Sequence, residues 1–97
     1  MARYPIDMEK LEAICRQYHV ESVSLFGSMV RGEATPESDI DLIVSFSKSV
    51  GYFHLVALER KLTEALGRKV DLLTEGAISP YLRERILRER QVIYAAR

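Results

Sequence analysis

Apolar residues recur along this chain with two periods, and the switches between them mark where the elements fall. Met8, Leu11, Ile14, Cys15 and Tyr18 follow helical spacing, so residues 8–18 read as an amphipathic helix. Asp7 is a suitable N-cap, flanked by Ile6 and Leu11 as the pair expected of a hydrophobic staple, and His19 closes the helix. Residues 23–26 read as a short strand, interrupted by Gly27, Ser28 and Gly32. Alternation is clearest over 39–46: Ile40, Leu42, Val44 and Phe46 point to one side, and Asp39, Asp41, Ile43 and Ser45 to the other. After a turn at 48–51, the stripe Leu55, Leu58, Leu62 and Leu66 predicts a helix over 52–66 that ends at Gly67. Residues 69–74 read as a strand. Ser79-Pro80 then starts a helix over 80–90, anchored by Leu82 and Ile86, and 92–94 supplies a short final strand. This order predicts an α/β (α+β) fold, with helices packed against a small sheet, in a single domain over residues 1–97.

Composition narrows the class. A chain of 97 residues with 47% hydrophobic content buries about two-thirds of its unfolded surface, enough for one core and too little for two. Cys15 is the one cysteine, so no internal disulfide forms. It lies on the apolar stripe of the first helix, where a buried, inert thiol is expected. No Cys/His cluster resembles a zinc site, and no stretch approaches the length of a membrane span. The first ten residues lack the apolar core of a signal peptide. A soluble, cytoplasmic protein is therefore expected. Fourteen Lys/Arg balance fourteen Asp/Glu, which argues against a general nucleic-acid binder. The balance is uneven along the chain: residues 1–67 carry seven basic and ten acidic side chains, and 68–97 carry seven and four.

The chemistry concentrates in two short stretches. Residues two apart on a strand share a face at roughly 6–7 Å, so Asp39 and Asp41 project side by side from a strand whose opposite face is apolar. Like charges held this close raise each other's pKa unless a cation sits between them. Magnesium fits, because it takes one or two carboxylates and completes its shell with water and substrate phosphates. Asp71 is a charge within the otherwise apolar Val70-Asp71-Leu72-Leu73, and it joins the pair if the two strands are neighbours. The plainer alternatives are that Asp39 caps the loop and Asp41 pairs with an arginine. Glu33 and Glu37 read as loop-solvating residues.

Gly27-Ser28 follows a strand and opens a helical turn, where backbone amides and a hydroxyl can hold phosphate oxygens. Neither a P-loop nor a dinucleotide fingerprint is present. Arg31 either reaches a phosphate or the acidic cluster, or braces the loop. Tyr52 and Phe53 read as core packing, with base stacking as the alternative. Arg83, Arg85, Arg88 and Arg90 read as a solvated helix face or a docking patch.

Gly27-Ser28-x-x-Arg31-Gly32 followed by Ser38-Asp39-x-Asp41-Leu42-x-Val44 resembles the signature of the minimal nucleotidyltransferases (MNT) of the DNA polymerase beta-like superfamily. The resemblance extends to Asp71, where that family has its third acidic residue, and covers nearly the whole chain. Val30 departs from it, since the family often has alanine there. The resemblance implies a mixed sheet flanked by helices and transfer of NMP from NTP with release of pyrophosphate. Asp39 and Asp41 would bind two Mg²⁺ ions, and Asp71 would complete the site nearer the attacking hydroxyl. Gly27 and Ser28, with Arg31, would hold the nucleotide phosphates. A chain this short resembles the antitoxin half of HEPN–MNT toxin–antitoxin pairs, which implies ATP as substrate and a tyrosine of a HEPN ribonuclease toxin as acceptor. The competing expectations are an antitoxin that inhibits by binding alone, and a nucleotidyltransferase acting on a small molecule or RNA.

Overall fold

The computed structural model describes residues 6–32, 35 and 38–96, apart from the side chains of Ser28 and Met29. Asp7 starts the first helix, α1 (Met8–Gln17), by accepting the Lys10 amide at 3.2 Å. Ile6 and Leu11 on either side of that cap are both buried in the core. His19 follows the helix at φ +61, and its carbonyl accepts the Ser47 amide at 2.9 Å, joining the start of β1 (Val20–Phe26) to the end of β2 (Ile40–Phe46). A short helix α2 (Ser28–Arg31) lies between those strands. Gly67, at φ +69, closes α3 (Tyr52–Leu66), and β3 (Val70–Thr74) follows it. A 3-10 turn (Glu75–Ala77) leads to α4 (Pro80–Glu89), capped by Ser79, and then to β4 (Gln91–Ala95).

The four strands form one mixed sheet in the order β3-β2-β1-β4. β1 runs antiparallel to β2 and β4, whereas β2 and β3 are parallel and joined through α3. Parallel neighbours need such a crossover, which lays its helix against the sheet. One sheet face is sealed by α1 and α3: Leu11, Ile14 and Cys15 meet Val23, Leu25, Ile40, Leu42, Val44, Leu58, Leu62, Val70 and Leu72 in a single buried cluster. His54 of α3 donates through Nε2 to the Tyr18 carbonyl at 2.7 Å, tying α3 to the end of α1. Burial, with Glu12 adding to it, pushes the Cys15 thiol up to about 12, as befits an inert core residue. Among the described residues, no helix is long and apolar enough to cross a membrane.

Three expectations are corrected. β1 starts at Val20 rather than at residue 23, because a bulge between Val20 and Ser22 changes the phase of the alternation. Val20 is therefore buried on the same face as Val23, although the sequence does not alternate between them. Tyr52 and Phe53 are not core residues. They occupy the first turn of α3, ahead of its leucine stripe, and are 73% and 86% exposed. α4 has no fully buried residue: Leu82 is 49% exposed, and with Ile86 it lines a cleft rather than anchoring a core.

Candidate active site

The backbone brings Gly27, Arg31, Asp41 and Asp71 to one cleft at one end of the sheet. β1 ends at Phe26, opposite Asp41 in the antiparallel register. Gly27 then turns the chain at φ +80, and its carbonyl accepts the Val30 and Arg31 amides at 3.1 and 3.2 Å, which starts α2. A Cβ at Gly27 would stand 2.5 Å from Asp41 Oδ2. Glycine is required here twice over, for the positive φ and for the space the carboxylate occupies. On the other side of β2, Asp71 lies in register opposite Asp41. The Ile40 amide donates to the Lys69 carbonyl at 2.9 Å and helps set that register. Asp39 stands immediately before β2, after a turn in which Ser38 Oγ accepts the Thr35 amide at 2.7 Å.

Asp39, Asp41 and Asp71 are each half-buried. Burial raises the Asp41 carboxyl above the ordinary aspartate range, and the negative charges of Asp71 and Asp39 push it the same way, while Arg31 opposes them. Lys69 Nζ lies 4.0 Å from Asp71 Oδ1 in an exposed pair. Arg31 also pairs with Glu89 of α4 at 3.6 Å, and Glu89 with Arg85 at 3.2 Å. A cleft of about 590 Å³ lies between the strand ends and α4. Phe26, Gly27, Arg31, Asp41, Asp71 and Leu73 line it from the sheet side, and Leu82, Arg85, Ile86 and Glu89 from α4. Asp39 does not line it but is felt at Asp41 through its charge. Tyr52 lines a separate cleft with Phe46, Lys48 and Thr74, away from the carboxylates. The Ser28 side chain, Glu33 and Glu37 lie outside the described residues.

Among the described residues, no three carboxylates, imidazoles or thiolates are gathered tightly enough to hold a metal ion by themselves. That is compatible with magnesium, which is commonly bound by one or two carboxylates together with substrate phosphates and water. Hard oxygen donors and mutual repulsion at Asp41 make this a donor set suited to such a cation. Sequence reasoning missed Glu59, which lines the same cleft and accepts the Leu72 amide through Oε2 at 3.0 Å. It also missed Glu89, whose pairing with Arg31 spans two distant parts of the chain. No local pattern announces either contact.

This fold, with carboxylates at the strand ends, suits a nucleotide-transferring enzyme, and comparison with known proteins shows that class. Residues 8–93 match the family model of the nucleotidyltransferase domain. A Methanocaldococcus jannaschii protein with the provisional name protein adenylyltransferase MJ0128 is 43% identical over 79 residues, covering 80% of this chain and 79% of its own. Protein adenylyltransferase MntA of Thermococcus cleftensis is 31% identical over 97 residues, covering 92% and 96%. Among solved structures, a toxin–antitoxin complex with AMP-PNP superposes with a TM-score of 0.78 at 23% identity, covering 95% of this chain and 76% of that one. A complex of a tri-AMPylated Shewanella oneidensis HEPN toxin with an MNT antitoxin superposes at 0.68 and 22%, covering 92% and 70%. A structure provisionally described as a minimal nucleotidyltransferase superposes at 0.70 and 35% identity, covering 92% of this chain and 96% of that one, so this chain belongs to the nucleotidyltransferase domain family and, within it, to the minimal nucleotidyltransferases.

Proposed function

We propose that the chain is an Mg²⁺-dependent protein adenylyltransferase that moves AMP from ATP onto a tyrosine of a HEPN ribonuclease toxin and so acts as its antitoxin. The observation that carries this reading is the register of β2 and β3, with Asp41 opposite Asp71 and Gly27 packed against the Asp41 carboxylate. The protein adenylyltransferase names of the relatives support AMP as the group transferred and a protein as the acceptor. The HEPN–MNT complex among the structural neighbours supports the choice of partner. Residues 1–97 act as one domain, a reading supported by the family match over residues 8–93.

Asp39 and Asp41 would hold two magnesium ions, and Asp71 would complete the site on the acceptor side. When bound, the ions neutralise the triphosphate and polarise the α-phosphorus. Gly27, through its backbone, and Ser28 hold the distal phosphates, with Arg31 countering their charge. Asp71 orients the tyrosine hydroxyl and takes its proton. The phenolic oxygen bonds to the α-phosphorus as the bond to the α,β-bridging oxygen breaks in line, and pyrophosphate leaves. No protein nucleophile is needed.

The test is the intact mass of the HEPN partner co-expressed with the wild-type chain and with the Asp39→Asn/Asp41→Asn double variant. AMP additions with wild type alone are expected. An unmodified partner that is still bound and inhibited would make the chain a steric antitoxin. One that is neither bound nor modified would redirect the search to a small-molecule or RNA acceptor.

A further inference from the structure

Among the described residues β3 is an edge strand, paired with β2 on one side only. Unpaired amides on such an edge invite water or another strand. Here α3 covers two of them. The Val70 amide donates to Thr63 Oγ1 at 3.1 Å, and the Leu72 amide donates to Glu59 Oε2 at 3.0 Å, both in partly buried surroundings. The spacing explains why both bonds form at once. Four residues of helix rise about 6 Å, and two residues of strand about 6.6 Å. Glu59 and Thr63, one turn apart on a single helix face, therefore match alternate amides of the strand. Asp71 lies between the two gripped residues.

We propose that Glu59 and Thr63 are positioning residues for the transfer reaction: from α3 they clamp the outer edge of β3 and fix Asp71 opposite Asp41. The inference rests on the role given to Asp71 above. Lys69 does not substitute for the clamp, because its side chain is 69% exposed and its Nζ lies 4.0 Å from Asp71 Oδ1, a contact that screens charge without fixing the backbone. Glu59 also lines the cleft, so the test must separate its carbonyl-type acceptor from its charge.

The experiment compares Glu59→Leu, Glu59→Gln, Thr63→Val and Asp71→Asn in the full chain with its protein acceptor and MgATP. It reads kcat, the KM for ATP, and hydrogen exchange at the Val70 and Leu72 amides. Glu59→Leu is expected to lower kcat about tenfold or more with the ATP KM within about twofold, and to speed Leu72 exchange. Glu59→Gln keeps the acceptor and is expected to retain kcat within about threefold and protection at Leu72. Thr63→Val, the milder lesion, is expected to lower kcat about threefold and expose Val70; it decides the matter if Glu59→Leu fails to fold. Fast Leu72 exchange with wild-type kcat would overturn the proposal, as would a Glu59→Gln variant as slow as Glu59→Leu. If Asp71→Asn alone keeps full kcat, the role of Asp71 fails, and the exchange data still report whether the clamp exists.

Discussion

On one face of the sheet, Ile40, Leu42 and Val44 of β2 are at most 1% exposed beneath α1 and α3. One residue along the same strand, on the other face, Asp41 and Ser45 are half-buried and Asp41 opens onto a cleft. Polar chemistry continues across that second face, where the Ser22 and Ser45 hydroxyls share a hydrogen bond at 2.7 Å. The period of two thus puts the main core on one face of β2 and Asp41 on the other, where Ile43, 2% exposed, is the buried apolar residue between Asp41 and Ser45. The arrangement tolerates three neighbouring carboxylates because the folding free energy comes mainly from the face they do not occupy. A slip of one residue in the pairing of β2 would exchange the two faces, so the same strong patterning that seals the core also aims the aspartates.

If that division holds, lesions on the two faces should have opposite signatures. The largest effect belongs to Asp39→Asn/Asp41→Asn: Mg²⁺-dependent transfer should fall by about 10³-fold or more, equivalent to about 4 kcal/mol of barrier, with the circular dichroism spectrum unchanged. Loss of the fold instead would mean that the charged face also holds the structure together. Next is Leu58→Ala, with Leu58 0% exposed on the sealed face. It should cost about 2–5 kcal/mol in denaturant unfolding while leaving the chemistry of the protein that remains folded little changed.

Gly27→Ala probes a backbone position where an added methyl group has no room beside the Asp41 carboxylate. The methyl group must displace Asp41 Oδ2, which is the free end of a side chain and can swing away, but only by leaving the cleft. Transfer activity should fall about tenfold to a hundredfold, against about 1–2 kcal/mol of stability lost to the positive φ. Equal losses of activity and stability, measured by initial rates and by thermal melts on one preparation, would assign Gly27 to the fold alone.

How much of this was legible in the sequence follows from which signals are local. The helices were readable because Asp7, Gly67 and Ser79-Pro80 mark their ends and the leucine stripe marks the face of α3. Asp41 was readable as a residue of the face opposite the core because strand alternation fixes its side, whereas Asp39 stands before β2 and outside the cleft lining, where alternation no longer governs it. The start of β1 was not, since the bulge at Val20/Ser22 puts two buried valines three residues apart and breaks the alternation. The neighbourhood of Asp41 and Asp71 had to be inferred, because parallel pairing depends on how α3 crosses the sheet. Contacts such as Arg31 with Glu89 and Glu59 with the Leu72 amide were invisible for the same reason. A polar residue on a helix face does not reveal which strand amide or which distant charge it will meet.

The smallest effect separates the two faces most directly, because it should carry the sign opposite to that of a core lesion. Burial and the charges of Asp71 and Asp39 raise the Asp41 carboxyl in the folded chain, so at a given pH the fold binds its proton more tightly than the unfolded chain does. Where the folded state binds more protons, stability falls as pH rises. The penalty therefore grows from the ordinary aspartate range up to the raised value and is fully present above it. Asp41→Asn removes the ionisation, so in metal-free buffer at pH 7 it should raise Tm by a few degrees, and the advantage should shrink to nothing as pH falls below the ordinary aspartate range. Added Mg²⁺ should raise the wild-type Tm by binding the folded state and leave the variant nearly unmoved. A variant that melts below wild type at pH 7, with a difference that does not change with pH, would mean that Asp41 stabilises the fold through its contacts and that the charged face is no burden to it.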